Sequence, residues 1–439
     1  MKLFQLLIFL FAFNLVSLSQ NKVEMLDSLF NTMHERGQFS GNVLVVNNGE
    51  ELYRKSFGYA NRNQKIILDE NTLFNTGSVS KTFTAVAILQ LSEKGKLDVD
   101  DFANKYLPDF PYERITIGHL LTHASGLPAK DTLLKTFGNT EPVTNARLLK
   151  LLYDQKPELQ FSPGSKSLFN DVGYIVLAEL VEAVSKQEFS EYLDKNIFNP
   201  AGMGSTRIYN AVQIPSEVKA AKGYLFSPFT QGYVEAIKFP EFGKLYAESG
   251  TEGDVNVWST TGDLVRFCGA ISEETLLTEE ALSTMFLKKT DALMPGQDRS
   301  YGKSFSYGWI IPDAPYRIAE ARGEMPGFNA QIVWNLSEKR MIIYLSNNYL
   351  SFTSYNNMIP YSVGAILTQN TLTIPKKWAS VELTNVVLHI SDAEIKSLVK
   401  KLKADSDTYD FDVPGVQYLI RRLREMDKTE KADLIESLI

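Results

Sequence analysis

The sequence predicts an α+β fold in which one antiparallel sheet, built from both chain ends and flanked by helices, lies beside a mostly helical lobe. Short β-rich runs occur early, within 41–60, and return between 305 and 346. Helical patterns broken by glycine and proline dominate from 81 to about 300. Residues 371–439 differ in character and predict a small helical appendage.

The early strands are expected to form a hairpin, because they are joined at Asn48-Gly49 and Asn-Gly favours tight hairpin turns. A helix over 23–36 is predicted before them from its apolar spacing. Late strands are predicted at 305–311, 316–322, 330–334 and 340–346, and a further helix at 355–369. The strand at 340–346 lacks polar alternation, which indicates a central, buried position.

The C-terminal appendage begins after a predicted linker at 371–378. Ser391-Asp-Ala-Glu394 is a capping box, a pattern that opens helices by satisfying free backbone N–H groups. Two more amphipathic helices are predicted at 416–426 and 429–438. The expected organisation is a leader, a main domain, and a linker with a helical extension, at 1–19, 20–370 and 371–439.

Composition is that of an ordinary globular protein, with 439 residues, 44% hydrophobic and 22% charged. The formal net charge is −7 and no basic block is present, so neither nucleic acid nor an anionic membrane surface is an expected partner. Cys268 is the only cysteine, which excludes an internal disulfide. It lies in an apolar stretch and is expected to be a small core residue.

The first nineteen residues have a charged start, a short apolar run and small residues before position 20. This pattern predicts a secretory signal peptide cleaved near Ser19-Gln20, and therefore an exported protein, periplasmic or secreted. The alternative is a retained membrane anchor. Gln5 and Asn14 interrupt a run already short for a bilayer span, which favours cleavage and no stable anchor.

The candidate catalytic pair is Ser78 and Lys81, in Gly77-Ser-Val-Ser-Lys-Thr82 before a long apolar helical run. Three residues apart at a helix start, the two side chains are expected to share one helix face. A lysine kept neutral by desolvation can take the proton of a serine hydroxyl and make it a nucleophile. The alternative is an N-cap serine beside a solvated lysine.

His119 and His123 are four residues apart, the spacing of a two-histidine metal site on one helix face. The segment 115–128 is predicted as one helix ending in Ser-Gly-Leu-Pro. No glutamate lies between the histidines and no third ligand is evident, so a structural role is favoured. The predicted chemistry requires neither a metal nor an organic cofactor.

Several motifs, in matching order and spacing over roughly 25–370, resemble the serine β-lactamase and penicillin-binding-protein-like family, in its class C, D-alanyl-D-alanine carboxypeptidase and esterase branch. They are Ser78–Lys81, Ile117–Leu127, Phe161–Gly164 leading to Phe169–Tyr174, Asn199–Thr206, Trp258–Asp263 and Gly323–Phe328. The resemblance implies a β-lactamase/transpeptidase-like fold. It also implies that Ser78 is acylated by the substrate carbonyl, that Lys81 is its base, and that the backbone N–H groups of Ser78 and Glu324 form the oxyanion hole.

Two positions depart from the family pattern. The second motif, usually Tyr-x-Asn or Tyr-x-Asp, falls on Phe169 and Asp171, and phenylalanine cannot pass a proton. The third motif, Lys-Thr-Gly or His-x-Gly, falls on Ala321-Arg322-Gly323, where alanine supplies no charge. Tyr153 and Tyr174 are candidates to replace the missing tyrosine, although core packing is the favoured interpretation for both.

Two functions therefore compete. The first is an exported serine hydrolase acting through a Ser78 acyl-enzyme on esters, D-amino-acid peptides or β-lactam-like amides, from small molecules or the cell wall. The second is a catalytically degraded relative that binds a cell-wall or glycan component without turnover, as Phe169 and Ala321 suggest. A Ser-His-Asp hydrolase of another fold is disfavoured, because the chain contains no Gly-x-Ser-x-Gly elbow.

Overall fold

The computed structural model describes residues 20–135, 142–210, 214–227, 232–238, 250–297, 299–300, 302–314, 317–349, 358–411 and 413–439. The predicted leader at 1–19 lies outside these residues. So do residue 316, the first of the strand predicted at 316–322, and residues 355–357, the start of the helix predicted at 355–369. In the described part of the chain, no helix combines the length and apolarity needed to cross a lipid bilayer.

The predicted sheet is confirmed. It has eight antiparallel strands in the spatial order Thr290–Asp291, Lys303–Phe305, Ile310–Pro312, Ile318–Met325, Phe328–Asn335, Arg340–Ser346, Gly41–Asn47 and Glu50–Phe57. Gly41–Asn47 pairs with Arg340–Ser346 along its whole length, so early and late parts of the chain meet in mid-sheet. Six of the seven residues of Arg340–Ser346 are buried, as its unbroken apolar run predicts.

The first hairpin turns where the sequence predicts it. Asn48 and Gly49 have φ of 56° and 85°, the left-handed values that a two-residue hairpin turn demands. The region predicted as one strand at 305–311 is instead the end of one strand and the start of the next. Lys303–Phe305 and Ile310–Pro312 pair with each other across a turn at Gly308, whose φ is 81°.

A helical lobe accompanies this sheet. Its α-helices are Ser80–Glu93, Ile117–Leu121, Lys130–Leu134, Asn145–Gln155, Val172–Ser185, Phe189–Leu193, Thr261–Ser272 and Glu279–Met285. Single turns of 3-10 or π helix lie at Gly77–Val79, Ala103–Lys105, Asp194–Phe198 and Ala236–Lys238. Short strands lie at Tyr59–Asn61, Ile66–Ile67, Phe74–Asn75, Arg207–Ile208 and Val257–Ser259.

The helix Ser80–Glu93 is the centre of this lobe. Its residues from Ser80 to Leu91 are all buried, so it has no solvent-facing side along most of its length. Such a helix is apolar all round instead of amphipathic, which places it in the middle of the core. Its first turn therefore holds polar side chains in a protected environment, where hydrogen bonds and charges act strongly.

Contacts divide the described chain into two compact units. The sheet and the lobe belong to Gly41–Lys222 and Ile237–Asn347, whereas the described residues up to Ser40, Gly223–Ala236 and Asn348–Ile439 form the other unit. The second unit contains a helix at 20–35, Met358–Gln369, Ala379–Val386, Asp392–Ala404, Val413–Glu425 and Thr429–Leu438, with strands at Tyr224–Ser227, Gly232–Glu235, Asn348–Tyr349, Lys377–Trp378 and Tyr409–Asp410. The domain boundaries placed at residues 19 and 370 stay predictions.

The C-terminal helices carry a hydrophobic cluster of their own, centred on Leu383, Ile395 and Leu419. The capping box is present: Ser391 accepts a hydrogen bond from the Glu394 N–H, and the Glu394 side chain caps Ser391 in return. The helix Ala379–Val386 was not predicted. The predicted linker also holds a strand, Lys377–Trp378, which pairs with Tyr409–Asp410.

Candidate active site

Ser78 lies on the 3-10 turn Gly77–Val79, immediately before the buried helix Ser80–Glu93. Gly77 adopts a left-handed φ of 52°, and its N–H donates to Asn75 Oδ1 at 2.8 Å. A left-handed residue followed by a tight turn changes the chain direction sharply at the serine. The turn thus presents a half-buried hydroxyl at the end of a fully buried helix.

The backbone of the strand Ile318–Met325 packs against the backbone of this turn, with no room for a side chain between them. A Cβ on Gly323 would lie 1.9 Å from the Thr76 carbonyl oxygen and 2.8 Å from the Ser78 nitrogen. A Cβ on Gly77 would lie 2.7 Å from the Glu324 nitrogen. Glycine at both positions therefore brings the backbone of Ser78 and Glu324 together, as an oxyanion hole made from their N–H groups requires.

Lys81 reaches Ser78 directly. Its Nζ donates to Ser78 Oγ at 2.9 Å and to the Asp254 carbonyl oxygen at 2.9 Å, and its side chain is only 4% exposed. The same amine lies 2.7 Å from Asp171 Oδ1. Lys81 thus has a carboxylate partner that the sequence did not predict, and its role as a base stays a prediction.

Asp171 precedes the helix Val172–Ser185 and is the acidic partner of that pair. Burial opposes its ionisation, but the positive charges of Lys81 and Lys130 outweigh burial, and the pKa of the Asp171 carboxyl falls below its usual value. Asp171 is thus a carboxylate at neutral pH. The second-motif position keeps a polar group in contact with the lysine even though its first residue has changed.

Phe169 fills the tyrosine position of that motif. Its ring centre lies 5.0 Å from Lys81 Nζ and 4.8 Å from the ring centre of His123. Burial, together with the charge of Lys81, lowers the pKa of His123 to about 3, so its imidazole is neutral. Its Nδ1 accepts a hydrogen bond from the Asn170 N–H at 3.1 Å. The surroundings of Phe169 are therefore aromatic.

The two histidines do not share a helix face. The helix predicted over 115–128 spans only Ile117–Leu121, and His123 follows it with a left-handed φ of 57°. His119 caps the start of that helix, where its Nδ1 accepts from the Thr116 N–H at 3.3 Å. Within the described ranges, no three histidine, cysteine, aspartate or glutamate side chains are grouped as metal ligands.

Neither candidate replacement for the missing tyrosine points its hydroxyl at Ser78. Tyr174 is fully buried and donates to the Leu121 carbonyl oxygen at 2.8 Å, and burial raises the pKa of its hydroxyl. The Tyr153 ring packs at 6.1 Å from that of Phe110, away from the pocket. Both tyrosines therefore fit the interpretation of core packing better than that of a replacement for the missing tyrosine.

A pocket surrounds the serine and lysine. Its walls are mainly aromatic and aliphatic, with charged groups on one strand; they comprise Ser78, Lys81, His123, Phe169, Tyr174, Phe305, Gly308, Trp309, Ile310, Glu320, Ala321 and Arg322. Ala321 adds no charge, and Arg322 donates to Glu320 Oε2 at 2.6 Å. The strand that carries the third motif thus contributes an ion pair in place of a single cation.

Sequence reasoning missed a second lysine and a second aspartate near this pocket. Lys130 Nζ donates to Asp254 Oδ2 at 2.8 Å, and the carbonyl of Asp254 is the one that holds Lys81. The two partners are 124 positions apart, and no motif links them. The one signal in the sequence is that Asp254 stands immediately before the run 255–258, whose residues are apolar or carry an amide.

Comparison with known proteins places this geometry in a family. The beta-lactamase family matches residues 26–358. Penicillin-binding protein 4* of Bacillus subtilis (strain 168) is 32% identical over 366 residues, which cover 82% of this chain and 79% of that protein. The structure of a penicillin-binding protein from Bacillus halodurans is similar with a TM-score of 0.64 at 27% identity, covering 75% of this chain and 97% of that one.

This chain is also similar, in fold alone, to the D-amino acid amidase of Ochrobactrum anthropi SV3, whose structure was solved with L-phenylalanine amide. The TM-score is 0.66 at 21% identity, and the match covers 81% of this chain and 99% of the amidase. The family match spans well over half of the chain, and the observed sheet and helical lobe agree with it. The chain therefore belongs to the beta-lactamase family, the serine hydrolases related to penicillin-binding proteins.

Proposed function

We propose that this protein is an exported serine hydrolase in which Ser78 Oγ attacks the carbonyl carbon of an ester, a D-amino-acid peptide or a β-lactam-like amide. One observation carries the proposal: Lys81 Nζ lies 2.9 Å from Ser78 Oγ inside a largely apolar pocket. A nucleophile within hydrogen-bond reach of a base, with the base oriented by a third group, is the general signature of covalent catalysis. Asp171 is that third group.

Acylation requires Lys81 in its neutral form. Lys81 Nζ releases one proton to solvent and stays beside the Asp171 carboxylate, whose Oδ1 is 2.7 Å away. The amine then takes the proton of Ser78 Oγ as the oxygen bonds to the substrate carbonyl carbon. The ammonium formed by the attack is stabilised by the negative charge of Asp171, 2.7 Å away.

The carbonyl oxygen becomes an oxyanion facing the N–H groups of Ser78 and Glu324. The close approach at Gly323 supports this role, since a side chain there would push strand and turn apart. When the bond from the carbonyl carbon to the leaving group breaks, Lys81 returns its proton to the leaving oxygen or nitrogen. Preorganised donors of this kind typically contribute about 10²–10³-fold in rate each.

The relatives and the leader pattern support a substrate class and a location. The names of similar proteins include a putative D-alanyl-D-alanine carboxypeptidase and a D-amino acid amidase, which favours peptide or amide substrates from the cell wall. The leader pattern at 1–19 favours export to the compartment where such substrates occur.

A covalent adduct provides the test. The mature protein is incubated with a fluorophosphonate probe, and the modified peptide is identified by mass spectrometry. We expect one adduct per chain, on Ser78. Ser80→Ala is the matched control: Ser80 is buried and hydrogen-bonds the Val257 N–H at 3.1 Å, so this variant should label at the same site. No adduct, or an adduct on another residue, rejects the proposal.

A second function is favoured by Phe169 and Ala321, which lack the proton-transferring and charged groups of the family motifs. A chain that acylates but cannot activate water would retain its ligand covalently and act as a binding protein. The discriminating quantity is the rate at which the acyl-enzyme is hydrolysed. Efficient release of acetate from a small aryl acetate by the natural chain would exclude this function.

Phe169→Tyr is expected to speed hydrolysis of the acyl-enzyme by about 10²-fold, because a phenol beside Lys81 restores a proton-transferring group. The ring already lies 5.0 Å from Lys81 Nζ. The measurement is the decay of acetylated protein by mass spectrometry after rapid removal of the aryl acetate. Phe161→Tyr, outside the pocket, is the control and should decay like the natural chain. Equal decay in both variants would show that a phenol at position 169 does not speed hydrolysis of the acyl-enzyme.

A further inference from the structure

We propose that Lys130 is a positioning residue: it holds Asp254, and through the Asp254 carbonyl it fixes the amine of Lys81 beside Ser78. The inference rests on the proposed acylation of Ser78 and extends it to a residue outside the three sequence motifs. It assigns the Lys130–Asp254 ion pair a part in the reaction instead of a purely structural one.

The contacts of Lys130 are short and protected. It begins the helix Lys130–Leu134, and its side chain is 12% exposed. Its Nζ donates to Asp254 Oδ2 at 2.8 Å and to Thr251 Oγ1 at 2.6 Å. The side chain of Asp254 is completely buried, and its other oxygen, Oδ1, has no hydrogen-bond partner among the described residues. A buried carboxylate with one satisfied oxygen depends strongly on its single cation.

Asp254 connects that ion pair to the serine. Its carbonyl oxygen accepts from Lys81 Nζ at 2.9 Å, and the preceding carbonyl, of Gly253, accepts from Thr84 Oγ1 at 2.7 Å. Gly253 has a left-handed φ of 93°, and a Cβ there would lie 2.5 Å from the Tyr174 carbonyl oxygen. The segment is therefore clamped by backbone contacts on one side and by Lys130 on the other.

Charge gives Lys130 its second effect. Lys81 and Lys130 oppose Asp171 and Asp254, so the four groups together carry no net charge. Without Lys130 the cluster has one excess negative charge next to Lys81, and that charge favours the ammonium form, which cannot accept a proton. Among the described residues that line this pocket, the other titratable or charged side chains are His123, Tyr174, Glu320 and Arg322, and Lys303 is paired with Glu320. His123 is neutral, and the last three are bound to one another. Near Asp254, burial raises the pKa of Glu252 to about 7.

The loss of the third-motif cation makes this arrangement more consequential. Ala321 leaves Lys81 without a lysine or histidine from that strand. Lys130 provides a second ammonium from a different part of the chain, close enough to lower the pKa of Asp171. Lys130 thus supplies, from a different segment, the positive charge that a lysine or histidine at position 321 would supply.

The experiment measures the second-order rate of fluorophosphonate labelling of Ser78 from pH 5 to 9 in the full chain. For Lys130→Met we expect a labelling rate about tenfold or more lower. We also expect the acid limb, the low-pH side of the rate profile where labelling falls, to move up by about one pH unit. Lys130→Arg should retain most of the rate, since it keeps the charge. The double variant Lys130→Met with Asp254→Asn removes both charges of the pair, so its acid limb should return to that of the natural chain.

Lys135→Met is the control, because Lys135 is exposed at the end of the same short helix. If the natural chain labels at Ser78 but Lys130→Met has an unchanged rate and pH profile, the inference fails while the proposed function stands. If Lys130→Met does not fold, the double variant provides the test. An acid limb of the double variant that lies at higher pH than that of the natural chain also overturns the inference. A natural chain without a Ser78 adduct rejects the proposed function itself.

Discussion

Lys81→Met is expected to lower the rate of Ser78 acylation by about 10³–10⁴-fold. Methionine has a similar length and fills the same space, but it has no group that can take the serine proton. It also removes the hydrogen bonds to Ser78 Oγ and to the Asp254 carbonyl oxygen. The hydroxyl then stays protonated at neutral pH, where an unassisted serine is a weak nucleophile.

The fold should survive this replacement. Asp171 keeps the favourable charge of Lys130, and its side chain is 31% exposed, although the Oδ1 atom that loses its partner is buried. The Asp254 carbonyl loses one hydrogen bond, a cost of about 1–3 kcal/mol. Labelling rate and urea-unfolding midpoint are measured together, with Lys96→Met, at an exposed site, as the control. Labelling of Lys81→Met at the natural rate would show that another group deprotonates Ser78.

Gly323→Ala is expected to destabilise the protein by about 1–3 kcal/mol and to lower acylation by at least about 10²-fold. The added Cβ would lie 1.9 Å from the Thr76 carbonyl oxygen and 2.8 Å from the Ser78 nitrogen. Both neighbours are backbone atoms, so no side chain can rotate away. The strand must separate from the turn, and that movement takes the Glu324 N–H away from the oxyanion position.

Gly269→Ala is the matched control, because it adds the same methyl group to a glycine with no neighbour within 4 Å. Gly269 lies inside the helix Thr261–Ser272, where alanine is favoured by about 1 kcal/mol. The two variants should therefore move the urea midpoint in opposite directions. If Gly323→Ala labels at the natural rate, the close approach of strand and turn does not set the oxyanion geometry.

Local signals in the sequence predicted several elements well. The turn at Asn48-Gly49 follows from a dipeptide that tolerates left-handed backbone, and the capping box at Ser391 and Glu394 follows from hydrogen bonds within one helical turn. The antiparallel sheet from both chain ends followed from where β-rich runs occur. These features depend on residues within a few positions of one another, or on the order of elements along the chain.

Other features escaped prediction for a common reason. The segment after Leu121 was expected to continue as a helix, but His123 turns into left-handed backbone, buried between the rings of Phe169 and Tyr174. The roles assigned to Ser78, Lys81, Phe169, Asp171, Gly323 and Glu324 stay predictions. Their proximity, however, is a property of the folded chain, in which tertiary contacts override local propensity.

By itself the sequence determined that a serine and a lysine one helical turn apart begin a buried helix, in an α+β chain with the motif order of the beta-lactamase family. Only the tertiary structure decided the electrostatic setting of that lysine. Asp171 and Asp254 reach it from segments 90 and 173 positions away, and Lys130 in turn holds Asp254. Spacing along a chain fixes neighbours within a helix, whereas the charges around a buried amine depend on which distant segments fold against it.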